Sequence, residues 1–154
     1  MKKTVSILGS TGSIGTQSLV VCKKMGYRVH ALTAHSNWKL LEQQVREFSP
    51  TIAVLTDPDA AEQLRLALQD TKTTVLSGMD GILEVVSHKE QDTVINALMG
   101  VAGLLPTVRA IEAGNNVALA NKETLVAGGK LVTDLVREKG VLLTPIDSEH
   151  SAIF

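Results

Sequence analysis

The chain has 154 residues, of which 44% are hydrophobic and 20% are charged, and its formal net charge is −1. This length suits one globular domain, and an aromatic content of 3% argues against the stacking surfaces of nucleic-acid-binding proteins. The single cysteine, Cys22, excludes an intramolecular disulfide and a thiolate zinc cluster. The apolar stretch after Thr4 is too short for a signal peptide or a membrane span. We therefore expect a soluble, cytoplasmic protein with neither nucleic acid nor membrane as a partner.

Short β-branched runs alternate with longer helical stretches along the chain. In chain order, the predicted strand–helix pairs are Val5–Leu8 with Ser13–Lys24, Arg28–Thr33 with Asn37–Phe48, Ile52–Leu55 with Pro58–Leu68, Thr74–Leu76 with Gly81–Ser87, Thr93–Leu98 with Leu104–Ala113, and Asn116–Ala120 with Glu123–Lys139, followed by a last strand at Val141–Thr144. Asp57 is a plausible N-cap, and glycines 26, 114 and 140 follow helical runs as C-caps do. The alternation predicts one Rossmann-like, doubly wound α/β domain over 1–154, with a mainly parallel sheet and helices on both faces.

A glycine-rich turn joins the first predicted strand to the first predicted helix. Gly9, Gly12 and Gly15 have the spacing G-x-x-G-x-x-G, a relative of the dinucleotide-binding fingerprint. Gly9 permits a sharp turn, Gly12 lacks the Cβ that would obstruct a diphosphate, and Gly15 permits close packing of the helix. The turn predicts nucleotide binding at the helix N-terminus; the alternative is a tight turn with no ligand.

The type of dinucleotide is indicated by the loop after the second predicted strand. NAD sites usually have an Asp or Glu about 20 residues after the glycines, where it binds the ribose 2′-hydroxyl. Here the loop reads Ala34-His35-Ser36-Asn37, without an acid that would repel a 2′-phosphate. The loop therefore favours NADP, although His35 could equally be an exposed loop histidine.

Two further segments, Leu119–Glu123 and Pro145–His150, lie where predicted strands end. Parallel strands direct their carboxyl ends to one edge of the sheet, where ligands bind. Asp147 and Glu149 are two residues apart, so in an extended segment both carboxylates can reach one hard cation such as Mg²⁺ or Mn²⁺. A solvated acidic pair is the alternative. Lys122 stands at the start of a predicted helix, where a cation is disfavoured, which suggests an anionic ligand. The methionines Met25, Met79 and Met99 are interpreted as packing residues.

Together these motifs resemble one enzyme family. The runs Gly9–Gly15, Gly100–Thr107, Leu119–Glu123 and Pro145–Phe154 are similar, in the same order, to those of 1-deoxy-D-xylulose 5-phosphate reductoisomerases. The resemblance implies a rearrangement of a small phosphorylated sugar, by retro-aldol cleavage and re-addition, followed by reduction with NADPH to 2-C-methyl-D-erythritol 4-phosphate in non-mevalonate isoprenoid biosynthesis. It also implies that the full-length enzyme is a homodimer.

The resemblance assigns roles to residues of this chain. The phosphates of NADPH would be held by Thr11, Gly12, Ser13 and Ile14, and other parts of the cofactor would contact His35, Ser36, Asn37, Asn121 and Glu123. The divalent metal, which is Mn²⁺, Mg²⁺ or Co²⁺, would be bound by Asp147 and Glu149. The substrate would contact Lys122, Ser148 and Glu149, of which Lys122 and Glu149 would be catalytic.

The resemblance is incomplete at two places. The family often has a glycine followed by a basic residue where this chain has His35-Ser36, which leaves open how the 2′-phosphate is held. Family members also continue beyond Phe154 with a third metal carboxylate, an active-site lid and a helical C-terminal domain. We therefore expect this chain to be the NADPH-binding part of the enzyme, inactive alone.

Two other functions are compatible with the glycine turn. One is a different NADP-dependent reductase or semialdehyde dehydrogenase, but an acyl-transferring enzyme needs a nucleophilic cysteine near the carboxyl edge, and Cys22 is predicted to lie mid-helix. The other is a non-catalytic NADP-sensing module, which leaves Asp147 and Glu149 without a role.

Overall fold

The computed structural model describes residues 3–120 and 122–146. Seven strands form one sheet: β1 (Thr4–Leu8), β2 (Arg28–Ala34), β3 (Ile52–Leu55), β4 (Thr74–Ser77), β5 (Thr93–Asn96), β6 (Asn116–Leu119) and β7 (Leu143–Pro145). Six α-helices connect them: α1 (Ser13–Met25), α2 (Trp38–Phe48), α3 (Pro58–Ala67), α4 (Gly78–Val86), α5 (Leu104–Glu112) and α6 (Lys122–Lys139). None of the helices within these residues is long and apolar enough to cross a membrane.

The sheet is parallel throughout, with the strand order β4-β3-β2-β1-β5-β6-β7. The chain winds outward from β1 to β4, crosses back, and then winds outward from β5 to β7. The winding direction therefore reverses between β1 and β5, which is where doubly wound proteins open a ligand crevice at the carboxyl ends of their strands. The predicted fold class is confirmed.

A hydrophobic core lies on each face of the sheet. On one face, α1, α2 and α3 bury Leu19, Leu41 and Leu64 against the sheet. On the other face, α4 and α5 bury Ile82 and Ile111. The strands are buried on both sides, so their sequences are continuous apolar runs rather than alternating ones.

Helix ends are fixed by the capping residues that the sequence indicates. Asp57 accepts a hydrogen bond from the Ala60 amide at 3.2 Å, with Pro58 at the first helical position. Gly26, Gly114 and Gly140 all have positive φ, the conformation that a glycine C-cap supplies.

The structure differs from the predicted elements mainly at the carboxyl edge. The fourth helix begins at Gly78 rather than Gly81, and a 3₁₀ helix, Gly100–Gly103, occupies the segment before α5. The last helix has a kink at Gly128, where an added Cβ would lie 2.6 Å from Leu104 Cδ1. A side chain at residue 128 would therefore displace the end of Leu104, a tertiary contact between α5 and α6 that local propensity does not reveal.

We expect the central strands to dominate stability. Leu32 on β2 is fully buried, so Leu32→Ala should reduce the free energy of unfolding by about 2–5 kcal/mol through lost burial and the resulting cavity. Val20→Ala, at a side chain that is 67% exposed, is the control and should change stability by less than about 0.5 kcal/mol. Urea unfolding monitored by circular dichroism measures both; equal effects would contradict the assigned core.

Candidate functional site

A cleft of about 540 Å³ opens at the carboxyl edge of the sheet, over the point between β1 and β5 where the winding reverses. Its walls come from the glycine turn after β1, the ends of β2 and β3, the loop after β5 and the first turns of α4. The lining residues are Gly9, Thr11, Gly12, Ser13, Ile14, Gly15, Ala34, His35, Thr56, Met79, Ile82, Ala97, Leu98, Met99 and Ala102. The cleft thus has an apolar floor with one polar wall.

The glycine turn lies between β2 and the loop after β5. The amides of Gly9 and Ser10 both donate to the carbonyl oxygen of Thr33, at 3.0 and 2.8 Å. Gly9 has φ +79°, and a Cβ added there would lie 3.0 Å from the carbonyl oxygen of Ala97. A side chain at this position would be strained by the backbone conformation and crowded by the neighbouring loop.

A buried side-chain pair fixes the turn to α2. The hydroxyl of Ser10 donates to Gln44 Oε1 at 2.8 Å, and Gln44 Nε2 donates back to the Ser10 carbonyl oxygen at 3.0 Å. Both side chains are buried, where a satisfied hydrogen-bond pair restricts the backbone strongly. Gln44 is therefore a positioning residue for the turn, and the sequence patterns did not reveal it.

The N-terminus of α1 is open toward the cleft. Its N-cap is Gly12, which has no side chain to cap the helix, and the first turn contains no acidic residue. The first N–H groups of a helix have no intrahelical partners, and their dipole favours an anion. This contrasts with α2 and α3, whose N-termini are capped by Asn37 and Asp57.

Gly15 determines how close α1 lies to its own turn. A Cβ added at Gly15 would stand 2.1 Å from the Gly9 carbonyl oxygen and 2.6 Å from Ser10 Cα. Both contacts are with backbone, which cannot move without displacing the turn. The sequence predicts that Gly15 lets the helix pack closely on the sheet, whereas the atoms that an added Cβ would overlap belong to the turn.

The opposite end of the cleft is formed by the loop after β2. His35 Nδ1 is 2.7 Å from Thr56 Oγ1, which follows β3, and both residues line the cleft. Asn37 Oδ1 accepts from the Leu40 amide at 3.3 Å, and this bond makes Asn37 the N-cap of α2. Ser36 is exposed beside it. A carboxylate does lie near this end, that of Asp57, but it is bonded to the amide of Ala60 in its own helix.

The loop after β5 forms another wall of the cleft, and hydrogen bonds of the Asn96 side chain fix its conformation. This buried amide donates to the Gly103 carbonyl oxygen and to Thr107 Oγ1, at 3.0 and 2.8 Å, and accepts from the Leu98 amide at 3.1 Å. Asn96 therefore stabilises the loop and the 3₁₀ helix together. No sequence pattern indicates this role, because a buried asparagine is recognisable only once its partners are known.

The sequence predicts packing roles for three methionines and a cofactor contact for Glu123. The packing interpretation is wrong for Met99, whose side chain is 87% exposed, and for Met25, which is 58% exposed. It is confirmed for Met79, which packs against the hydrophobic core and also lines the cleft. Glu123 lies in the first turn of α6, and its Oε2 lies 3.6 Å from the position of a Cβ added to Gly100. Glu123 is thus beside the segment that follows Met99.

Other predicted site residues fall partly or wholly outside the structure described. Asn121, Asp147, Ser148 and Glu149 lie outside the described residues, as does the side chain of Lys122, whose backbone opens α6. The flanking backbone is described: the Ala120 amide donates to the Asn96 carbonyl oxygen, and the Ile146 amide to that of Leu119, each at 3.0 Å. Ala120 and Ile146, the last described residues before these positions, therefore lie at the same edge as the cleft.

Substitution of Gly15 tests the packing of the turn. Because its Cβ would overlap backbone atoms, Gly15→Ala should reduce the free energy of unfolding by about 1–3 kcal/mol, as overpacking does. Gly129→Ala is a matched control, since a Cβ there meets nothing within 4 Å, and it should be neutral or stabilising by up to about 1 kcal/mol. Thermal unfolding compares the two; a neutral Gly15→Ala would contradict the geometry.

Comparison with known proteins gives consistent matches along the chain. The family model described as 1-deoxy-D-xylulose 5-phosphate reductoisomerase matches residues 5–129. The reductoisomerase of Ruminiclostridium cellulolyticum is 48% identical over 154 residues, covering 100% of this chain and 40% of the relative. That of Geobacter metallireducens is 50% identical, covering 99% of this chain and 40% of the relative. The chain therefore spans about two fifths of the length of these relatives.

Solved structures show the same similarity. The reductoisomerase of Zymomonas mobilis in complex with NADPH superposes with a TM-score of 0.91 at 40% identity, covering 97% of this chain and 40% of that one. A reductoisomerase complex with NADPH, fosmidomycin and magnesium gives a TM-score of 0.90 at 40% identity, covering 96% and 37%. A biliverdin reductase from Synechocystis at 20% identity and TM-score 0.57 shares the fold alone.

Proposed function

This chain belongs to the 1-deoxy-D-xylulose 5-phosphate reductoisomerase family, and we propose that residues 1–154 form the NADPH-binding part of such an enzyme. The whole enzyme would convert 1-deoxy-D-xylulose 5-phosphate to 2-C-methyl-D-erythritol 4-phosphate with NADPH and a divalent metal. One observation of the structure carries the proposal. The N-terminus of α1, uncapped and free of acids, opens into the cleft where the winding reverses.

The diphosphate of NADPH is proposed to lie against the turn Thr11–Ile14. The backbone amides at the start of α1 would donate to its oxygens, and the helix dipole would favour its charge. The absence of a Cβ at Gly12 leaves room for this approach. Hydrogen bonds with the Thr33 carbonyl oxygen and the Gln44 side chain fix the backbone of the turn. The amides are therefore preorganised before the anion binds.

The adenosine end is proposed to lie against His35, Ser36 and Asn37, where the loop contains no carboxylate. The side-chain amide nitrogen of Asn37 and the hydroxyl of Ser36 would donate to a 2′-phosphate. The hydrogen bond between His35 Nδ1 and Thr56 Oγ1 would set the orientation of the His35 ring. The nearby carboxylate of Asp57 caps α3 through Oδ2 and is not part of this loop. The loop thus supports NADPH over NADH.

The reacting end is proposed to lie toward β5, β6 and β7. Asn121 and Glu123 would contact the cofactor, and Lys122 and Ser148 the phosphorylated sugar. Asp147 and Glu149 would bind the divalent ion, with Glu149 also against the substrate. The burial of Ile146, which directly follows β7, supports this placement. Three strand spacings separate β7 from β1, so the two strand ends are about 14 Å apart. When bound, NADPH supplies a hydride and the metal ion stabilises developing oxyanion charge.

Several finer expectations stay predictions for the whole enzyme. These are the use of Mn²⁺ or Co²⁺ beside Mg²⁺, the cytoplasmic location and the homodimer. Because the chain spans about two fifths of the length of its relatives, we propose that the 154-residue polypeptide binds NADPH but does not turn over substrate by itself.

The alternative of a cysteine-dependent semialdehyde dehydrogenase is disfavoured by the environment of Cys22. This thiol is fully buried in α1, and burial raises its pKa to about 11. A nucleophilic cysteine needs the opposite, a lowered pKa and access to substrate. Cys22 is therefore a packing residue.

Calorimetric titration of the 154-residue polypeptide tests the cofactor assignment. We expect NADPH to bind at least tenfold more tightly than NADH, because the loop His35–Asn37 has no carboxylate that would repel a 2′-phosphate. Ser13→Asp should weaken NADPH binding at least tenfold, since it places a negative charge where the diphosphate would lie. Ser87→Asp, with the same charge at the far end of α4, is the control and should leave binding unchanged. Tighter binding of NADH would overturn the assignment.

The metal assignment is tested separately. Asp147→Asn should weaken Mn²⁺ binding at least tenfold, because a neutral amide replaces one of two proposed carboxylate ligands. Asp134→Asn, an exposed position on α6, should leave Mn²⁺ affinity unchanged. Electron paramagnetic resonance of free Mn²⁺ measures both; equal affinities in the two variants would remove Asp147 from the metal site.

A further inference from the structure

A second group of polar side chains lies at the amino edge of the sheet, opposite the cofactor cleft. His30 is near the start of β2, and His88 and Glu90 are in the connection between α4 and β5. A pocket of about 300 Å³ separates these elements, lined by Thr4, Arg28, His30, Thr51, Ile52, His88 and Glu90. The proposed function does not use this group.

The three side chains converge on one point. His30 Nε2 and His88 Nδ1 are 3.0 Å apart, with ring planes at 67°. Each of the three residues His30, His88 and Glu90 offers one ligand atom, and these three atoms lie within 4.8 Å of one another. Two nitrogens bound to one tetrahedral Zn²⁺ stand about 3.3 Å apart, given Zn–N bonds of about 2.0–2.1 Å. His30 Nε2 and His88 Nδ1 now form a hydrogen bond, so an ion would replace that bond, move the nitrogens apart by about 0.3 Å and turn both rings toward the metal.

The scaffold around the group is firmly held. The carbonyl oxygen of His88 accepts from the buried amides of Gln91 and Asn115, at 3.0 and 2.9 Å, and the carbonyl oxygen of His30 accepts from the Thr51 amide at 2.9 Å. His88 Nε2 lies 3.9 Å from Glu84 Oε2. A carboxylate at that position favours the tautomer with hydrogen on Nε2, which leaves Nδ1 as the electron-pair donor.

We propose that His30, His88 and Glu90 form a binding site for a transition-metal ion of the Zn²⁺ type. The ion would be bound by His30 Nε2, His88 Nδ1 and a Glu90 oxygen, with water in the fourth position. Two imidazoles and one carboxylate are a frequent zinc ligand set, and imidazole favours Zn²⁺, Co²⁺ or Ni²⁺ over Mg²⁺. The ion would link the start of β2 to the α4–β5 connection.

The charges around the group are compatible with a cation. Burial and the neighbouring His88 lower the pKa of His30, with Arg28 contributing in the same direction and Glu90 opposing it. A lowered pKa keeps this imidazole neutral, which is the form that binds a metal. The carboxylate of Glu90, which lines the same pocket, offsets the positive charge of Arg28.

Cobalt substitution tests the site directly. In the Asp147→Asn, Glu149→Gln background, which removes the proposed carboxylate site, Co²⁺ should bind with one-to-one stoichiometry and give the visible absorption of a tetrahedral complex. Zn²⁺ should displace it, and Mg²⁺ at a hundredfold excess should not. Absence of saturable Co²⁺ binding in this polypeptide would overturn the proposal.

Single substitutions assign the ligands. Glu90→Gln, at an exposed position, should weaken Zn²⁺ binding at least tenfold, as should His88→Gln. Glu84→Gln should weaken it by a smaller factor, since this carboxylate only orients His88. His35→Gln and Glu138→Gln are matched controls and should bind as the parent does. Unchanged Zn²⁺ affinity in Glu90→Gln, whose circular dichroism shows a folded chain, would refute the site even if His88→Gln failed to fold.

Discussion

The architecture of this protein depends on one close contact, that of the α1 helix with its own preceding turn. The carbonyl oxygen of Gly9 occupies the space where a side chain at residue 15 would begin. With the Thr33 carbonyl and the Gln44 amide bonded to the same turn, the first N–H groups of α1 are fixed in position. A helix N-terminus carries partial positive charge, and here no side chain neutralises it. The proposed cofactor site is thus set by backbone geometry rather than by charged side chains.

A sheet that is parallel throughout has two chemically different edges, and the polar groups of this chain are divided between them. At the carboxyl edge, the strand ends bring together the glycine turn, His35, Thr56 and the loop held by Asn96. That edge combines an apolar floor with backbone donors, which suits a large anionic cofactor. At the amino edge, two imidazoles and a carboxylate converge on a small pocket, which suits a single borderline-soft cation. The same fold can therefore hold two ligands that do not compete.

The sequence was sufficient for the fold and for the location of the cleft, because alternating periodicity, capping residues and the glycine turn are all local signals. Most strand and helix ends agree within two residues, whereas the 3₁₀ helix and the kink at Gly128 depend on contacts with distant residues. The same limit applies to the site. Thr11 and His35, which line the cleft, were predicted from their place in the chain. Gln44 and Asn96 act through buried hydrogen bonds across 34 and 7–11 residues of sequence, respectively. His30 and His88 are 58 residues apart, and no spacing rule joins them.

The central claim is that the amides at the start of α1 bind the diphosphate of NADPH. Amide chemical shifts of the ¹⁵N-labelled polypeptide, recorded during addition of NADPH, test it most directly. We expect the largest chemical-shift changes at the amides of Gly12, Ser13 and Ile14. Smaller changes should occur at His35 and Ser36, and none at Ser87 and His88. Saturable binding whose largest shifts lie at the amino edge, with Gly12 and Ser13 unaffected, would contradict it.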